Sequence, residues 1–304
     1  MKSLKFSLII SLFMLLAVGE VWGCVVTIYT PAGYHMYRIF DPKASRSTES
    51  QRMANCKAWR QIIPVNVSLE EIEEVVYSLS LNEYKQIYID KEYYGYNNFA
   101  GWLKSHQSDI GDFLLLAKQN EELRDLYSSP WYYPSMKVRG EVTLEDIVTR
   151  SLSNTNPQLR DRYLLQAVRA LFTLRRYQEC IALWDEQISQ LAKDNVMRSH
   201  IVPYIAGARA RIGDYKAAFE TFAEVGDIAS MRACAKAMGQ EMYEAEAIEA
   251  IYNNCDDSYR LLDFLQSYVR SAENWHFEAY WGAGRGENMT EGHRKLRDVA
   301  LRIA

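Results

Sequence analysis

The chain is poor in the residues that usually carry chemistry. Its 5 cysteines and 5 histidines are scattered over 304 residues. There is no Cys-x-x-Cys pair and no HExxH, so neither a zinc site nor a redox pair is indicated. No Gly-x-Ser-x-Gly elbow occurs. Three alternate glycines start at Gly282, but they follow an aromatic stretch, and no Lys-Ser/Thr completes a phosphate loop. Positive charge is not in excess: 35 Lys and Arg face 39 Asp and Glu, a net charge of −4. That excludes the basic footprint of a nucleic-acid-binding surface. Long apolar runs are missing beyond residue 19, so no later segment is suited to cross a bilayer. The acidic stretches Glu70–Glu74 and Glu241–Glu249 read as solvated helix faces, with no need for a general acid. Neither a catalytic residue, a cofactor nor a metal is expected.

What is present begins with a leader. Lys2 and Lys5 precede a 14-residue apolar run from Phe6 to Gly19. Such a run is short for a span of about 20 residues and suits the core of an export signal. Residues 1–23 are therefore predicted to be a signal peptide, and the mature chain to be periplasmic, at the outer envelope or secreted. Two fates are open to Cys24. Val21-Trp22-Gly23-Cys24 resembles a bacterial lipobox, although Trp22 departs from the small residue usual there. Lipidation of Cys24 is then the one expected link to a membrane. With plain cleavage after Gly23, Cys24 is free to pair with Cys56 in an oxidising compartment.

Val25 to Asp41 is β-branched and aromatic, which predicts a short strand or extended arm. Helices follow at about 51–61, from the capping box Ser68-Leu-Glu-Glu71 to about Ser80, and at 82–89, 97–106 and 109–127. Pro130 and Pro134 mark a break, and a boundary is placed near residue 140. Residues 24–140 thus form a mainly helical N-terminal module and 141–304 a helical array. Thr143-Leu-Glu-Asp146 opens that array with a second capping-box turn. Two shorter helices are expected at 228–238 and 241–253, another at 256–271, and a last one from about Thr290.

Within the array, YLLQAVRALFTLRRYQECIALWDEQI and IVPYIAGARARIGDYKAAFETFAEV are two versions of one helical hairpin. Aligned at Tyr177 and Tyr215, they are offset by 38 residues (215 − 177). The turn and packing positions are Tyr177 and Trp184 in the first copy, and Gly213, Tyr215, Ala218 and Phe222 in the second. Small residues at Ala206 and Ala218 allow close helix approach, and Tyr215 and Phe222 fill the groove toward a neighbouring hairpin. Arg175 stands where the second copy has the turn glycine, so that turn is either differently shaped or held at a left-handed φ. Pro203 is expected early in its helix, where a first-turn proline is tolerated but a later one kinks the helix.

These residues, and a period near the roughly 34 typical of that family, resemble tetratricopeptide repeats. The resemblance implies an all-α fold of stacked antiparallel helical hairpins, a solenoid that buries its apolar faces only through its neighbours. It also implies a scaffold that takes a protein partner on its surface. A second reading is binding of envelope carbohydrate. Tyr93 and Tyr94 lie in one aromatic loop, Trp131 and Tyr132 in another, and Trp275 and Trp281 in a third; exposed rings can stack on sugars. These rings equally suit packing between modules.

Overall fold

A computed structural model of the chain describes residues 51–128, 142–240, 242, 244–255 and 291–303. Among these residues there are thirteen α-helices and no strand, so the all-helical expectation is met. The signal peptide, Cys24, the extended arm at 25–41, the boundary near 140 and the helix at 256–271 lie outside the described residues. The described helices belong to one compact unit, Ser47–Ala304.

Helix α1 is Gln51–Arg60, and α2 is Leu69–Glu73. The Ser68 box forms as the sequence indicates: Ser68 Oγ accepts the Glu71 N–H, and Glu71 Oε2 accepts the Ser68 N–H at 2.7 Å. A π-helical segment, Glu74–Ser78, continues α2. The next helix, α3 (Leu81–Tyr88), has a capping box of its own from Ser80 and Glu83. Asn97 caps α4, Asn98–Ser105, and α5 is the long helix Asp109–Ser128. Gly111 is required there because α3 passes close by: a Cβ would run into the Tyr88 ring. The Tyr84 hydroxyl donates to the Gly111 carbonyl at 2.9 Å, and the Tyr88 hydroxyl to Asp112 at 2.7 Å.

Thr143 caps α6, Leu144–Ser153, through the predicted box. Then come α7 (Arg160–Thr173), α8 (Tyr177–Leu183) with a second π segment at Trp184–Ile188, and α9 (Val196–Arg211). They are followed by α10 (Tyr215–Glu224), α11 (Ile228–Ala237), α12 (Glu244–Asn254) and α13 (Glu291–Ile303). Sequential helices pack on each other along α6–α7 and α9–α10–α11, and α13 packs on α12.

Four of these helices end in the same way. In α7, α9, α10 and α11 a left-handed residue follows the C-cap: Arg175 (φ 61°), Gly213 (φ 90°), Gly226 (φ 66°) and Gly239 (φ 73°). The next N–H then reaches back five residues, from Arg176 to Leu171, Asp214 to Arg209, Asp227 to Phe222 and Gln240 to Ala235. This is the Schellman stop, which satisfies carbonyls left open at a helix end. In the second and third stops the aspartate also caps the next helix: Asp214 Oδ1 accepts from Ala217 and Asp227 Oδ1 from Ser230, both at 3.1 Å. One Gly-Asp doublet thus ends one helix and starts another.

Gly226-Asp227 forms the same turn as Gly213-Asp214, with Ile228 in place of the tyrosine. Pro203 is not in a first turn, because Asn195 caps α9 and starts it at Val196. Proline therefore sits mid-helix, where its missing N–H leaves the Ser199 carbonyl without its usual donor.

The core falls into two clusters. The larger runs from Cys56 and Trp59 through Tyr84, Phe99, Leu116, Leu144, Leu171 and Trp184 to Ala208. The smaller joins Ala206, Ala218, Phe222, Ala223, Met231, Cys234, Ala247 and Ile251.

Candidate functional site

The turn and packing residues take up structural positions. Tyr177 opens α8 and meets Phe172 edge-on at 5.3 Å. Trp184 is buried under the Arg198 guanidinium, 4.6 Å from the ring centre. Gly213 forms its Schellman turn, Tyr215 opens α10 against the smaller cluster, and Ala218 and Phe222 are buried in it.

The aromatic loop after α3 is divided. Tyr93 packs against the larger core, and its hydroxyl accepts the Asn97 N–H at 2.8 Å. Tyr94 is 91 % exposed with Lys104 5.2 Å from its ring, and Tyr96 is fully exposed. Trp131, Tyr132, Trp275 and Trp281 lie outside the described residues. Cys56 is a buried free thiol in α1, its pKa raised mainly by burial. Cys180 and Cys234 are buried free thiols, as small apolar residues would be, while Cys255 is half-buried.

The arrangement richest in polar chemistry is one the sequence reading passed over. A cavity of about 260 Å³ lies among α1, the first π segment, α5, α7 and α9. Its apolar wall includes Trp59, Phe113, Leu114, Leu165 and Tyr204, and its polar wall carries Arg162, Arg169, Lys118 and His200.

Arg162 is only 6 % exposed. Its guanidinium lies 3.8 Å from the centre of the Trp59 ring, and Nη1 donates to Asn55 Oδ1 at 2.7 Å. Asn55 in turn donates to the Tyr77 hydroxyl at 2.6 Å. A desolvated stack of this kind is worth about 2 kcal/mol, which offsets part of the penalty of burying the charge. The Lys118 ammonium donates to the Leu79 carbonyl at 2.5 Å and the Val76 carbonyl at 3.4 Å, capping the end of the π segment. Opposite it, Gln166 accepts from Asn120 Nδ2 at 2.8 Å. Two buried nitrogens on this wall, Arg169 Nε and His200 Nε2, have no hydrogen-bond partner among the described residues.

The electrostatics agree with the geometry. Burial pushes the Arg162 pKa down to about 10 and lowers that of Lys118. Arg169 is lowered by burial first and then by the Arg124 charge. His200 is lowered by burial, with Arg162 and Arg169 adding to the effect and a hydrogen bond to the Gln51 backbone opposing it. Among the described lining residues the only carboxylate is the exposed Glu121. No carboxylate among the described residues forms an ion pair with Arg162, Arg169 or Lys118. Cations drawn out of water without counter-charges favour an incoming anion.

The signal in the sequence was a helical spacing. Arg162, Leu165, Gln166 and Arg169 recur at i, i+3, i+4 and i+7, one face of α7. The packing positions of the hairpin alignment, Leu164, Ala167 and Leu171, lie on the opposite face, so the alignment offered no reason to expect Arg162 to be buried. His200 is half-buried, hydrogen-bonded to the Gln51 backbone, with Nε2 unpartnered among the described residues.

A larger hollow of about 580 Å³ lies among α1, α9 and the ends of α10 and α12. There Arg198 already pairs with Glu224 at 3.1 Å. Among the described residues no cluster of His, Cys, Asp and Glu is arranged to hold a metal ion, and no helix is long and apolar enough to cross a membrane. No protein-family model matches the chain, and neither a curated protein nor a solved structure matches it.

Proposed function

We propose that the chain is an exported, non-enzymatic helical-repeat scaffold that resembles the tetratricopeptide family and binds a protein partner at the cell envelope. The observation that carries this reading is the recurring stop at Arg175, Gly213, Gly226 and Gly239, each closed by the same reach-back hydrogen bond. A chain that reverses at the same turn again and again lays its helices side by side. It then offers a rigid surface on which a partner docks at little ordering cost. Export rests on the leader at residues 1–23, and attachment to a membrane on lipidation of Cys24.

The test is crosslinking in cells with the native leader intact, followed by affinity capture and mass spectrometry. The expected outcome is one dominant protein partner, lost when the exposed Arg160 and Arg211 on α7 and α9 are both changed to Glu. The same spectra report whether the mature chain starts at a lipidated Cys24. Full exposure of Tyr96 and near-full exposure of Tyr94 favour a second reading, stacking on envelope carbohydrate. Retention on polysaccharide with no protein partner would displace the first reading in its favour.

A further inference from the structure

The cavity beside α7 holds more positive charge than its surroundings neutralise. We propose that it binds a small carboxylate with an apolar body, the charged end meeting Arg169 and His200 and the body lying against Phe113, Leu114 and Tyr204. This site is separate from any partner-binding outer surface, so either proposal can fail alone.

Four observations converge. First, the cationic groups come from three helices, α5, α7 and α9, and line one partly open cavity. A surface arginine in that position would turn to water; these are held by packing. Second, Arg162 and Lys118 are tied back to the protein by Asn55 and by the Leu79 carbonyl. Arg169 is held by Tyr204 and His200 by the Gln51 backbone, but Arg169 Nε and His200 Nε2 have no partner among the described residues. The fixed cations set the field; the unpartnered nitrogens have almost no accessible surface without ligand and make their contacts once their side chains turn toward the cavity. Third, the Arg169 guanidinium is a planar fork, a shape that matches a carboxylate with paired hydrogen bonds. Fourth, the remaining wall is aromatic and aliphatic, which favours an apolar body over a bare inorganic ion. The volume of about 260 Å³ lies just below the range of drug-sized pockets, from roughly 300 Å³ upward. The ligand is therefore a small molecule. The π segment at Glu74–Ser78 contributes as well, since it places Tyr77 and the Val76 carbonyl on this cavity. Such segments recur at functional sites in helical proteins.

The anion also resolves a physical problem. Without it, desolvated cations face one another across an apolar wall, an arrangement that destabilises the fold. Removing one of them should then weaken ligand binding without weakening the protein. A purely structural arginine behaves in the opposite way.

The experiment is isothermal titration of the full mature chain with 4-phenylbutyrate, succinate and inorganic phosphate, paired with thermal unfolding. The expected result is saturable binding of 4-phenylbutyrate, weaker binding of succinate and none of phosphate. In Arg169→Met the 4-phenylbutyrate Kd rises by about tenfold or more, as expected for losing a charged hydrogen bond. Its Tm in the absence of ligand is no lower than that of the parent. Leu165→Trp, which fills the cavity and alters no charge, abolishes binding independently. Absence of binding by all three probes, an unchanged Kd in both variants, or a preference for phosphate would each overturn the proposal. So would a lower Tm of Arg169→Met in ligand-free buffer, because the arginine would then be structural.

Discussion

His200 shows how a single side chain reports on its surroundings. It lies on α9 facing Arg162 and Arg169 of α7, Lys118 and Glu121 of α5, Tyr77 of the π segment and Tyr204 on its own helix. Burial and the two arginines hold its folded pKa below the ordinary 6.5. Below pH 6.5 the unfolded chain therefore binds a proton that the folded chain resists, so stability falls as the solution is acidified through that value. Above it both states are neutral and the residue contributes no slope. The capping carboxylates Glu71, Glu83 and Asp146 are shifted the other way, downward from 4.5 or 3.8. Their contribution is lost only in a separate, more acidic window. Denaturant unfolding at a series of pH values between 7 and 5 should thus show a decline in stability that His200→Gln flattens. An equal slope in both proteins would mean that His200 is not buried beside the arginines. Of this constellation the sequence shows only the spacing of Arg162 and Arg169 on one face of a helix. That Lys118 and His200 meet them depends on the crossing of three helices, which no local pattern encodes.

The repeated stop is the unit at the scale of the element, and it makes opposite predictions for two substitutions. Arg175 holds φ 61°, a conformation that costs a side-chain-bearing residue about 1 kcal/mol or more. Arg175→Gly relieves that strain and should stabilise the chain by about 1 kcal/mol, net of the extra freedom glycine has when unfolded. At Gly226, φ 66°, Ala imposes the same strain anew and should destabilise by about 1 kcal/mol. Chemical denaturation of both variants checks the pair, and equal signs would overturn the shared-turn account. Much of this level was legible in advance. The boxes at Ser68 and Thr143 form as their spacing indicated, because a cap needs only residues three apart in the chain. Arg175 as a strained substitute for glycine was one of two open readings, and it is the one the structure shows. Asn195 caps α9 six residues before the apolar pattern became clear, and that places Pro203 in mid-helix and not early in it. The doublet Gly226-Asp227 was overlooked because Ile228 stands where the other copy has Tyr215.

The two core clusters differ in what they bury across the whole molecule. The larger contains Trp59, Tyr84, Tyr88, Phe99 and Trp184; the smaller is half alanine, with Phe222, Met231 and Ile251 as its bulk. Stabilisation scales with the apolar area removed from water, at roughly 25 cal/mol per Å². An alanine-rich cluster is accordingly the weaker half, and α10–α12 should open before α5–α7 does. Native-state hydrogen exchange should show lower opening free energies in α10–α12. Met231→Ala should reduce protection there by about 2 kcal/mol or more while leaving α7 little changed. A uniform loss across both clusters would mean that the molecule unfolds as one cooperative block.

By itself the sequence determined the all-helical class, the capping boxes at Ser68 and Thr143, most helix positions and the turns at Arg175 and Gly213. Each of these depends on contacts within a few residues of chain, where spacing translates directly into geometry. Export, as proposed, rests on residues 1–23 of the sequence alone. Only the tertiary structure decided that Arg162, Arg169, Lys118 and His200 line one cavity. It also left two of their nitrogens without partners and separated the half-buried Tyr93 from the exposed Tyr94. Those outcomes depend on which helix faces meet and how much water is left between them, and burial is a property of the packed molecule that no stretch of chain possesses alone.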